Sequence, residues 1–183
     1  MALRTILTYP DTRLKETARP VANIDDPIAR LCEDLAETMY AAPGIGLAAT
    51  QVGEPVRVIV LDVHDKEEGP GRHLMKLVNP VITEREGEIT FEEGCLSVPD
   101  FTAEVKRAQH ILLRAWTPDE KEIEIEADGL LAVALQHELD HLEGKLFIDR
   151  LSRLKRDLYR ARQRKLDRQG RPAASSGRTP HLI

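Results

Sequence analysis

The spacing of apolar residues changes period several times along the chain, and each change marks an element. Ile28, Leu31, Leu35 and Met39 recur at helical spacing and predict an amphipathic helix. Asp26-Pro27 supplies its start, an N-cap followed by proline at the first helical position, and Pro43-Gly44 its stop. The apolar run in residues 57–63 reads as a buried strand. Residues 64–72 are charged and glycine-containing, which predicts a loop. Leu77-Val78 and Val81-Ile82 flank Asn79-Pro80 and read as a second strand with a kink or an edge position, because proline cannot donate to the ladder. Three short strands follow at roughly 103–106, 111–116 and 122–125, with the turn Thr117-Pro118-Asp119-Glu120 before the last. Asp128 can cap a helix over about 129–143, and Gly144 can stop it. Residues 151–168 form a further helical stretch. From Gln169 the composition turns to Gly, Pro, Ser and Arg, and disorder is expected. No internal repeat is present. Helix, strands, helix, helix predicts an α+β fold in which a mainly antiparallel sheet wraps a central helix.

The composition keeps this reading to one domain. A chain of 183 residues with 42% hydrophobic positions can bury one core, here residues 1–168, followed by a tail at 169–183. No apolar run approaches the ~20 residues a membrane helix needs. The start, Met1 to Leu7, is too short and too soon polar for a secretory signal, so a cytoplasmic location is expected. Cys32 and Cys95 are not expected to pair in a reducing compartment. Within an amphipathic helix, Cys32 reads as a small buried hydrophobe. The net charge of −5 hides an asymmetry: residues 153–178 hold ten basic and two acidic side chains, about +8, which leaves about −13 for the remainder. Such an arm suits a polyanion such as RNA, or is simply a solvated helix face.

The chemistry concentrates in His137-Glu138-Leu139-Asp140-His141. This H-E-x-x-H pattern falls inside a predicted helix, so both imidazoles lie one turn apart on one face and can reach one metal ion. Glu138 stands beside the first ligand and can receive a proton from metal-bound water. Leu130, Val133 and Ala134 make the same face apolar before it becomes metal-binding. Asp140 and Glu143 read as solvating the far face or orienting a ligand histidine. A catalytic site takes three protein ligands and keeps one position open. Downstream, the one further histidine is His181 in the tail, and Glu143 points to another side of the helix. Upstream, Cys95 in Glu93-Gly94-Cys95-Leu96-Ser97-Val98-Pro99 is the outstanding candidate: a cysteine in a loop, next to glycine, is not placed like a core residue. By itself it is as readily an incidental cysteine. A third segment, Gly44-Ile45-Gly46-Leu47-Ala48-Ala49-Thr50-Gln51, lets the backbone approach something closely. No lysine follows its glycines, so it is not a phosphate loop, and no nucleotide cofactor is expected. Gln51 adds an amide donor able to bind an oxyanion.

Taken together and in this order, G-x-G-x-A-A-x-Q at 44–51, E-G-C-L-S at 93–97 and Q-H-E-x-D-H at 136–141 resemble the peptide deformylase family. The likeness extends to the opening Ile6-Leu7-Thr8-Tyr9-Pro10-Asp11 and to residues 142–149, and it covers about residues 3–155. It implies a metal held by Cys95, His137 and His141, with Glu138 as general base and acid. It implies that Gln51 and the backbone N–H of Leu96 hold the oxyanion, and that Gly46 contacts the substrate backbone. Ile45, Leu130, Val133 and Ala134 would line the methionine pocket. The implied substrates are N-formylmethionyl nascent peptides. The implied metal is ferrous iron, which zinc, nickel or cobalt can replace, as one sulfur and two imidazoles allow. Family context turns the basic helix at 153–168 toward ribosomal RNA. Two rivals remain: another H-E-x-x-H metallopeptidase, and a metal-stabilised RNA-binding module.

Overall fold

A computed structural model describes residues 2–63 and 69–168. Part of the predicted loop at 64–72, and all of the tail at 169–183 with its expected disorder, lie outside the described residues. The first helix, α1 (Asp26–Ala41), begins one residue earlier than the sequence suggested: Asp25 is the N-cap, its side chain accepting from the Ile28 N–H at 3.1 Å. Asp26 and Pro27 are then the first two helical residues, where a missing proline N–H costs nothing.

Seven strands follow: β1 (Gly46–Ala48), β2 (Val58–Asp62), β3 (Leu74–Glu86), β4 (Ile89–Cys95), β5 (Val98–Arg107), β6 (His110–Trp116) and β7 (Glu122–Asp128). Five of them form an antiparallel sheet in the order β1-β2-β3-β6-β7, and β4 pairs with β5 as a separate ribbon. The expected kink in β3 is present. The register with β6 shifts between Val78 and Val81, and Asn79 takes φ 51°. Its side chain then acts as a strand edge, accepting from Val21 N–H and donating to Val21 C=O, both at 2.8 Å.

The helix α2 (Gly129–Leu142) is the centre of the fold, and every residue from Ala132 to Leu142 is buried. Asp128 stands at its N-cap position, although its side chain makes no capping hydrogen bond. Gly144 stops the helix with φ 66°, and a Cβ there would run into the backbone carbonyl of Lys15. Val133, Leu135, Leu139 and Leu142 pack with Ile59, Leu61, Leu77, Ile111 and Leu113 of the sheet. Strand β2 is apolar from Val58 to Leu61 because it is covered twice. Ile59 and Leu61 meet the α2 cluster, while Val58 and Val60 join Leu31, Leu35 and Met39 of α1. The last helix, α3 (Arg153–Arg168), is seated by Tyr159, which is buried among Tyr9, Phe101 and Phe147. Cys32 and Cys95 are both free and belong to different clusters. Among the described residues, no helix is long and apolar enough to cross a membrane.

Candidate metal centre

Helical geometry places His137 and His141 on one face of α2, and the β4–β5 ribbon brings Cys95 against them. Cys95 Sγ lies 3.2 Å from His141 Nε2, which lies 3.2 Å from His137 Nε2. The three donor atoms all fall within 4.8 Å of one another, and all three residues are buried. The loop expected around Cys95 is instead the end of a strand. Cys95 closes β4 and pairs across the turn with Val98. It is fully buried, as a core cysteine would be, yet its sulfur faces two imidazoles rather than apolar groups alone.

The orientation of His137 follows from a carboxylate that the sequence reading did not single out for a role. Glu93 Oε2 lies 2.8 Å from His137 Nδ1. Burial opposes ionisation of Glu93, but the two-pronged contact with Arg107 and the bond to His137 outweigh it and hold its pKa below the ordinary range. An ionised carboxylate only accepts, so His137 Nδ1 carries the proton and its Nε2 presents a lone pair to Cys95 and His141. Arg107 is buried and continues the chain, donating to Asp140 Oδ2 at 2.6 Å, and Arg150 closes it with bonds of 2.5 and 2.6 Å to Asp140. Asp140 therefore neither solvates a far face nor orients a histidine. It anchors two arginines. Glu143 is exposed and pairs with Lys145.

Glu138 is fully buried, and among the described residues neither of its oxygens has a hydrogen-bond partner. Burial raises its pKa well above the usual carboxylate value. Burial likewise pushes the Cys95 thiol up, against the opposing pull of the Ser97 N–H, and pushes His141 down, with His137 adding to the effect. All three shifts are the cost of charge or polarity in a closed site, and a bound cation would reverse those of Cys95 and Glu138. The donor set fits a metal. Nitrogens bound at about 2.0–2.1 Å to a tetrahedral centre sit about 3.3 Å apart, close to the observed separation.

Of the other candidate residues, Gly46 and Gln51 reach this cluster. Gly46 abuts Glu138: a Cβ on it would lie 2.5 Å from Glu138 Oε1. Gln51 is buried in a 3-10 turn, Ala49–Val52, which the Thr50 hydroxyl ties to the His141 carbonyl at 3.1 Å. Its Oε1 accepts from the Ala48 N–H at 2.8 Å, which directs Nε2 to Ser97 Oγ at 3.1 Å and toward Cys95 Sγ at 3.7 Å. Leu96 follows Cys95 directly, half-buried between β4 and β5. Val133 and Ala134 are buried in the α2 cluster, against which Ile45 packs. Leu130 is half-buried in the first turn of α2, and its neighbour Leu131 reaches that cluster.

Two histidines and a cysteine converging on one point, a buried glutamate beside them and a helix wrapped by antiparallel strands define a metallohydrolase. The chain belongs to the polypeptide deformylase family, whose pattern it matches over residues 3–157. Peptide deformylases of Syntrophobacter fumaroxidans and Alkalilimnicola ehrlichii are 52% and 55% identical to it. The first alignment covers 90% of this chain and 96% of that protein, the second 93% and 94%. The crystal structure of a peptide deformylase from Legionella pneumophila superposes with a TM-score of 0.85 at 44% identity, over 93% of this chain and 99% of that one.

Proposed function

We propose that the chain hydrolyses the N-formyl group from the initiator methionine of nascent polypeptides and releases formate. The observation that carries this reading is Glu138: a buried carboxylate with no hydrogen-bond partner among the described residues, against Gly46 and next to the three candidate ligands. Cys95, His137 and His141 would hold the metal, which supplies Lewis acidity and a nucleophile at neutral pH. Glu138 takes the proton from the attacking water and returns it to the leaving amine. The Gln51 amide and the Leu96 N–H receive the developing oxyanion, worth ~3–4 kcal/mol for a donor of this kind. The Ala48 N–H fixes which way the Gln51 amide points. Gly46 offers backbone to the peptide, and Ile45, Leu130, Val133 and Ala134 receive the methionine side chain.

The metal assigned is ferrous iron, with zinc, nickel or cobalt able to replace it, since one thiolate and two imidazoles serve all four. A purely structural metal would take four protein ligands, and the described residues supply a cluster of three. Residues 1–168 form the catalytic unit and act in the cytoplasm. The basic α3 contacts ribosomal RNA where chains emerge. The experiment is anaerobic formate release from a formyl-methionyl peptide by the iron-loaded protein and its Glu138→Ala variant, with an unformylated peptide as control. Turnover that collapses in the variant while metal stays bound supports the reading, and no turnover by the folded wild type ends it.

A further inference from the structure

The segment Pro43–Gly46 has little room to move. Gly46 approaches Glu138 as described, and a Cβ on Gly44 would lie 2.8 Å from Leu96 Cδ1. Something must hold this segment on its other side, and the side chain best placed to do so is Asp62. It is fully buried at the end of β2. Its N–H donates to the Ile45 carbonyl at 2.9 Å. Its Oδ2 accepts from the Tyr40 hydroxyl at 2.6 Å and from the Gly71 N–H at 2.5 Å. Tyr40 belongs to the last turn of α1, Ile45 leads into β1, and Gly71 follows the connection out of β2. One residue thus ties together three segments that are separate in sequence. Tyr40, Pro43, Gly44, Ile45, Pro70 and Gly71 are also the walls of one cleft, about 500 Å³ in volume. Burial, then the Asp62 carboxylate, raises the Tyr40 pKa, so the hydroxyl stays a neutral donor at physiological pH.

We infer that Asp62 is a positioning residue for deformylation: by clasping Tyr40, Ile45 and Gly71 it sets where Ile45 and Gly46 meet the peptide. The inference rests on the deformylase reading and extends it. Asp62 acts on the backbone that meets the peptide, through the Ile45 carbonyl, so its effect falls on binding rather than on proton transfer. Hydrogen bonds to a buried carboxylate hold more firmly than neutral ones, because both donors would otherwise lose their solvent partners.

The test uses Asp62→Ala and Tyr40→Phe in the full chain loaded with metal, with two readouts. The first is KM and kcat for a formyl-methionyl tripeptide. Asp62→Ala raises KM about tenfold and leaves kcat within about twofold, and Tyr40→Phe shifts KM in the same direction by less. The second is amide hydrogen exchange at Gly71 and across residues 44–46, which needs no substrate. Exchange there quickens in Asp62→Ala while α2 remains protected. Unchanged exchange would overturn the clasp whatever the protein catalyses. Faster exchange with unchanged KM, or a loss confined to kcat, would overturn the positioning role. A wild type that releases no formate would defeat the functional reading, and the positioning role with it, leaving the exchange data to decide the clasp alone.

Discussion

The Glu93 carboxylate accepts a hydrogen bond from His137 Nδ1 at 2.8 Å, and the same carboxylate is gripped by both prongs of Arg107, at 2.6 and 2.8 Å. Arg107 keeps Glu93 ionised, and Glu93 keeps the imidazole in the tautomer that can bind a metal. Glu93→Gln preserves shape but removes the charge and leaves Arg107 partly unpaired in a buried site. Metal affinity should fall about 10–100-fold, read by competition with a chelator. Stability should fall as well, since breaking a buried ion pair from one side costs about 3–5 kcal/mol. A variant that kept its metal as tightly as the wild type would show that Glu93 serves the fold alone.

Gly46 and Glu138 make a second prediction. A methyl group at position 46 would sit 2.5 Å from Glu138 Oε1, so either the carboxylate or the strand must move. A displacement near 1 Å at a reacting group can cost about 100-fold in rate. Gly46→Ala should therefore lose kcat/KM on that scale while retaining its near-UV circular dichroism and its metal. Activity within a few-fold of wild type would mean that Glu138 is not held at its working position by this contact.

The contrast between what the chain announces and what it conceals has a physical origin. The α2 centre was legible because two histidines and a glutamate sit at spacings that only a helix makes useful. Cys95 was legible by the shortage of other third ligands. Strand β1 was not, since three residues containing a glycine carry no period. Strand β4 was missed because Glu93 and Gly94 interrupt its apolar alternation just where it enters the core. Glu93, Arg107 and Asp140 look like surface charges along the sequence. Only the pairing of β4 with β5 and their packing on α2 bury them against one another. A buried ion network leaves no periodic trace, because each member is tolerated inside only through partners distant in sequence.

The amino terminus carries a pH-dependent tether. Asp34 on α1 accepts from the Ala2 N–H at 2.8 Å and from Arg4 Nε at 3.0 Å, while the Arg4 N–H donates to Thr38 Oγ1 at 2.9 Å. The Ala2 N–H is the largest cause that lowers the Asp34 pKa below its ordinary 3.8; burial opposes it and Arg4 assists. A depressed carboxylate stabilises the fold in full above the ordinary value and loses that contribution as pH drops through the folded one. Wild type should melt about 2–4 °C above Asp34→Asn at neutral pH, with the gap closing as pH falls below about 4. A gap constant with pH would assign the difference to packing rather than to charge.

The basic helix can be tested without removing it. Tyr159 is buried on the aromatic cluster that includes Phe147, and Phe147 stacks on His137 with ring centroids 6.1 Å apart. Deleting α3 would therefore strip a wall from the core as well as its charge. Arg153, Lys155 and Arg160 are exposed and can be changed alone. If α3 lies on ribosomal RNA, affinity for ribosomes falls steeply with salt, since each neutralised phosphate releases counterions. Replacing the three side chains with alanine should weaken binding and reduce the slope of log K against log salt by about 2–3. Formate release from a free peptide should be unaffected, because none of the three reaches the metal centre. Ribosome binding that ignores both salt and these substitutions would return α3 to the plainer role of a solvated helix seated by one tyrosine.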